Sequence, residues 1–142
     1  MTREVFSEQE TRALAAEMAG QAKPGEVYAL TGGLGVGKTA FTKGFAEGLH
    51  IKDMVNSPTF TILQEYEGGR LPLYHFDVYR IEEAEELFEV GFEEYLNGYG
   101  VSLVEWADLV PELMPPETRW IVMEKDFARG EDYRRITVKD PA

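Results

Sequence analysis

Residues 31 to 41, TGGLGVGKTAF, constrain the fold more than any other stretch of the chain. Four of them are glycine, the residue that loses most conformational freedom on being ordered. Such a cluster is kept where backbone must turn tightly or approach something closely. Ahead of it, Val27-Tyr28-Ala29-Leu30 is a short apolar run that suits a buried parallel strand. Behind it, Phe41, Phe45 and Leu49 recur every four residues, which predicts a helix from Lys38 to Leu49 with one apolar face. Strand, glycine loop and helix in this order direct loop N–H groups and the positive helix end at one point, where an anion is stabilised.

Gly32-x-x-x-x-Gly37-Lys38-Thr39 has the Walker A spacing. In that reading the backbone of Gly33, Leu34, Gly35, Val36 and Gly37 cradles phosphate oxygens. Lys38 reaches the β- and γ-phosphates, and the Thr39 hydroxyl helps hold Mg²⁺. The metal also needs an acidic partner at a strand end, and two residues qualify. Glu105 closes Val101-Ser102-Leu103-Val104, and Asp77 lies near the end of Leu73-Tyr74-His75-Phe76. Either alone would more often be a solvated strand terminus; together with Thr39 they make a plausible Mg²⁺ shell. His75 falls on the same strand face as Asp77 and could orient it, or could be satisfied within the sheet.

The rest of the chain reads as α/β. Ser7 and Glu10 have capping-box spacing, which starts a helix that closes near Gly20. Thr59 to Leu63 and Leu71 to Tyr79 flank Gly68-Gly69 as a hairpin, and Trp120–Met123 and Arg135–Val138 flank Gly130 as a second. Ile81 to Leu96 is a Glu-rich amphipathic segment interrupted at Gly91. The expected fold is a single P-loop NTPase-like domain over residues 1–142, with a mixed central sheet carrying β-hairpins and flanked by helices.

Charge and composition narrow the function. The chain has 14 basic and 26 acidic residues, a net charge of −12. Such a surface repels a phosphate backbone, so extensive direct nucleic-acid binding by this chain alone is not expected. No cysteine is present, which fits a reducing compartment. The absence of a signal-like start and of any apolar run of about 20 residues points to a cytoplasmic protein without membrane contact. A guanine-specific enzyme would need an Asn-Lys-x-Asp type motif, and none is present. A small P-loop kinase would need an arginine-rich lid, for which Arg129, Arg134 and Arg135 are the one cluster, otherwise a solvated hairpin. A nucleotide-gated assembly module is a third reading, compatible with an ATPase.

Gly32 to Thr39, Ser57-Pro58-Thr59-Phe60, His75-Phe76-Asp77-Val78-Tyr79-Arg80 and Val104-Glu105-Trp106 occur in this order. Together they resemble the TsaE (formerly YjeE) family of small bacterial P-loop ATPases, over nearly the whole chain. The resemblance implies ATP binding and slow hydrolysis in a complex that makes threonylcarbamoyladenosine beside the tRNA anticodon, with a TsaB–TsaD pair as partners. It implies Thr39 and Glu105 as metal ligands and Asp77 in the catalytic shell with Lys38. It further implies Ser57 and Thr59 in a switch-like segment, Trp106 near the nucleotide and Glu8 near the base. One position departs from the family pattern: Gly33 stands where the loop usually carries Asp. The acidic surface fits a member whose partners hold the tRNA.

Overall fold

The structure, a computed structural model, describes residues 1–33, 35–52, 62–79 and 81–141. Its strands are β1 (Thr2–Val5), β2 (Val27–Thr31), β3 (Leu63–Tyr66), β4 (Leu73–Asp77), β5 (Val101–Glu105), β6 (Arg119–Lys125) and β7 (Arg134–Lys139). The helices are α1 (Glu8–Gly20), α2 (Lys38–Gly48), α3 (Glu85–Glu89) and α4 (Phe92–Leu96). All seven strands form one sheet in the order β1-β7-β6-β2-β5-β4-β3. β2 runs parallel to both neighbours, β5 and β6, and β5 runs parallel to β4. The β3–β4, β6–β7 and β1–β7 pairs are antiparallel. The mixed α/β sheet with two hairpins is therefore the one expected from the sequence.

Residue alternation explains how the sheet divides the core. On β2, Tyr28 and Leu30 pack with α1 and α2 residues such as Leu14, Phe41 and Phe45. The intervening Val27 and Ala29 pack with Leu87, Phe92 and Leu96 of α3 and α4. A strand that buries both faces has no polar alternation, and all five residues of β2 are buried. β5 is equally buried, including its last residue, Glu105.

α1 begins as its capping box predicts: the Ser7 hydroxyl accepts from the Glu10 N–H at 3.1 Å. The Glu10 carboxylate reaches back one residue further than expected, to the Phe6 N–H at 2.6 Å. α1 then lies close against α2 because α2 carries glycine where the two backbones meet. A Cβ on Gly44 would sit 2.3 Å from Arg12 O, and one on Gly48 would sit 2.3 Å from Ala16 O. Gly91 breaks the Glu-rich segment into α3 and α4, as expected, in a left-handed conformation with φ +83°.

β1 was not anticipated. Three of its four residues are exposed and only Val5 is buried, so it lacks the alternation that marks a strand. Pairing along β7 creates it, with Thr2 opposite Thr137 and Val5 opposite Arg134. The expected strand start at Thr59–Thr61 lies outside the described residues.

Candidate functional site

The site forms at the C-terminal ends of the parallel strands. β2 delivers the chain into the glycine loop, and α2 leaves it with Gly37 as its N-terminal cap residue at φ +104°. Gly32 has no room for a side chain: a Cβ there would lie 2.7 Å from Met123 O and 2.9 Å from the Val36 side chain. The loop is thus pressed against the end of β6. Gly33 and Gly35 are exposed and Val36 is buried. Leu34 lies outside the described residues.

Lys38, the first residue of α2, is only 7% exposed. Its ammonium donates to Gly32 O at 2.7 Å, across the base of the loop. It also lies 3.3 Å from the centroid of the Trp106 ring, a cation–π contact worth up to about 2 kcal/mol when desolvated. Burial lowers the Lys38 pKa, and the nearby charges of Glu105, Asp77 and Asp108 oppose that shift. An anion in the loop would add to that compensation.

The two carboxylates meet across adjacent strands. Asp77 and Glu105 are register partners on β4 and β5, and Glu105 is also level with Leu30 of β2. Side-chain alternation puts His75, Asp77 and Glu105 on the face of the sheet that carries α2. Glu105 is 3% exposed, which rules out a solvated strand terminus. Of the two readings of His75, the one satisfied within the sheet holds: its Nε2 meets Glu105 Oε2 at 2.5 Å. Nδ1 is buried with no partner among the described residues.

Asp77 is half-buried, and its carboxylate accepts the Tyr79 N–H at 3.0 Å. Burial raises its pKa above the ordinary carboxylate value. The Tyr79 hydrogen bond opposes that rise and the Glu105 charge adds to it. Trp106 follows directly, with its N–H on Leu30 O at 3.1 Å and a left-handed φ of 63°. A non-glycine residue there costs about 1–2 kcal/mol. The turn accompanies a ring that covers Lys38 on one side and meets Tyr79 at 4.7 Å between centroids.

A cavity of about 580 Å³ opens beside the loop, lined by Gly32, Gly33, Val36, Trp106, Asp108 and the end of β6 from Val122 to Lys125. Asp108 and Lys125 were not singled out in the sequence; a lone acid in a short turn and a lysine at a strand end carry no spacing signal. Thr39 is exposed at the start of α2. Glu8 is exposed at the start of α1, and Thr59 and Ser57 lie outside the described residues. Among the described residues no group of three or more His, Asp or Glu side chains is placed to hold a metal ion. Mg²⁺ is typically held by one or two protein oxygens, phosphate and water. Thr39 and Glu105 supply such hard oxygens.

This arrangement defines an α/β protein built around a glycine-rich strand–loop–helix, with a buried lysine at the helix start and paired carboxylates on the adjoining strands. The chain belongs to the TsaE family: the family model for "Threonylcarbamoyl adenosine biosynthesis protein TsaE" matches residues 5–136. It is 55% identical over 129 residues to the tRNA threonylcarbamoyladenosine biosynthesis protein TsaE of Bacillus subtilis, covering 91% of this chain and 78% of that one. The protein of the same name from Treponema pallidum is 43% identical over 114 residues, covering 80% and 82%. The crystal structure of Bacillus subtilis YdiB superposes with a TM-score of 0.85 at 46% identity, over all of this chain and 86% of that one. Among the described residues, no helix is long and apolar enough to cross a membrane.

Proposed function

We propose that the protein is a Mg²⁺-dependent ATPase subunit that binds and slowly hydrolyses ATP in support of threonylcarbamoyladenosine modification of tRNA, acting with TsaB- and TsaD-type partners. The names of its relatives give the pathway. The observation that carries the ATPase part is Lys38, buried at the base of the glycine loop and facing the Asp77–Glu105 pair. Loop N–H groups and Lys38 bind and orient the phosphates; Thr39 and Glu105 would hold Mg²⁺, which when bound would supply charge neutralisation at the phosphates. Asp77, on the neighbouring strand, positions the attacking water. His75 bonds to Oε2 of Glu105 and holds that carboxylate in one orientation.

A kinase reading loses support from the arginines it would use. Arg129 pairs with Glu4, Arg135 pairs with Glu124, and Arg134 bonds to backbone carbonyls, so none extends over the site as a lid. Replacing Lys38 by Ala removes the direct charge contact to the β- and γ-phosphates. Titration with a fluorescent ATP analogue is expected to show affinity at least about tenfold weaker, the worth of one charge-assisted bond. Wild-type affinity and turnover in that variant would refute the nucleotide site.

A further inference from the structure

Arg134, on β7, spends its guanidinium on the glycine loop. Nε donates to Val36 O at 2.8 Å, and Nη2 reaches Gly35 O at 3.5 Å. Nη1 donates to the carbonyls of Glu131 and Tyr133 at 2.8 and 2.7 Å, in the turn that leads into β7. Nothing in the sequence spacing marked this residue apart from its two neighbouring arginines.

The physical need for such a group follows from the loop itself. When successive peptide N–H groups face inward toward an anion, their carbonyls must face outward. Val36 is 3% exposed, so water has little access there, and a buried carbonyl left unpaired is costly. Arginine suits the task because its donors form a planar fork and it stays charged at any working pH. Its strand is also firmly held. Arg134 is register partner to Val5 of β1 on one side and to Lys125 of β6 on the other. The Tyr133 hydroxyl beside it donates to Glu4 at 2.8 Å.

We propose that Arg134 is a positioning residue for the glycine loop: it fixes the Gly35 and Val36 carbonyls outward, so the loop amides face inward before any ligand arrives. The consequence for ATP affinity rests on the function proposed above; the effect on the loop does not. The test uses the full chain with Arg134→Ala and Arg134→Lys. Amide hydrogen exchange without nucleotide should quicken about tenfold at residues 35 to 38 in the alanine variant, the worth of one lost charge-assisted bond, while β2 and β5 exchange as in the wild type. Lysine should restore part of the protection, since its ammonium can reach one carbonyl but cannot fork. The ATP dissociation constant should rise about tenfold. Wild-type exchange at 35 to 38 in the alanine variant would overturn the proposal, as would faster exchange spread evenly over the whole sheet. If the wild-type chain binds no ATP, the nucleotide reading fails while the exchange data still decide the role of Arg134.

Discussion

Lys38 and Trp106 bear on each other before any ligand is bound. The ammonium lies against the indole face, so a phosphate that draws Lys38 away also changes the environment of that ring. Trp106 emission should shift on adding ATP with Mg²⁺, and Lys38→Ala should shift it without ligand. Trp120, on β6 level with Ala29, is not among the residues that line the cavity beside the loop and serves as the control: a signal that vanished only in Trp120→Phe would displace Trp106 from the site. Asp77 gives a second measurement at this scale. Its pKa is raised by burial, so the folded chain holds that proton more tightly than the unfolded chain. The stability it contributes is full below the ordinary aspartate range and is lost as pH rises through the raised folded value. Asp77→Asn should therefore raise the Tm of the nucleotide-free protein once pH is above the raised Asp77 value, and flatten the decline that begins as pH rises out of the ordinary aspartate range. A variant melting like the wild type at every pH would show that the burial carries no such cost. Lys38, Glu105 and Asp77 were legible in the sequence because a motif or a strand end marks them. The His75–Glu105 bond was not, since it runs diagonally between strands whose register only the folded sheet defines.

Elements that bury both faces or carry a cap signal could be read in advance: α1 from Ser7 and Glu10, β2 and β5 from their apolar runs, the hairpins from their glycines. β1 could not, because an exposed edge strand is stabilised by its neighbour rather than by its own pattern. The α1–α2 contact was also invisible. Gly44 and Gly48 read as poor helix formers, and their purpose emerges only where α1 backbone arrives at 2.3 Å from the positions their Cβ atoms would take. Gly44→Ala forces the helices apart, since the obstacle is backbone and cannot rotate away. The cost should be about 1–3 kcal/mol, read by urea denaturation. An unchanged midpoint would mean that the helices can separate freely. Because α2 carries Lys38 and Thr39, the same variant should weaken nucleotide affinity.

Across the molecule, the net charge of −12 governs encounters more than folding. α3 displays Glu85 and Glu89 to solvent, whereas Glu86 is engaged as an acceptor for the Glu82 and Glu83 N–H groups. A Glu-rich helix face is more often simply solvated. If this one docks the partners proposed above, reversing Glu85 and Glu89 to Lys should slow association with a TsaB–TsaD pair at low salt while affinity for ATP stays as in the wild type. Equal association rates would leave this face a solvated one. The pairing of β1 with β7 has a consequence in time as well as space. β1 finds its partner only in β7, with Met1 and Val138, 137 residues apart along the chain, exchanging hydrogen bonds at 2.8 and 3.1 Å. Contacts of such sequence separation close late and slowly. During synthesis, β2 also waits for β5 and β6, and the loop waits for Arg134. A nascent chain halted before β7 would carry the whole glycine motif yet leave its loop without that brace, so the loop takes its final shape only once the sheet has closed.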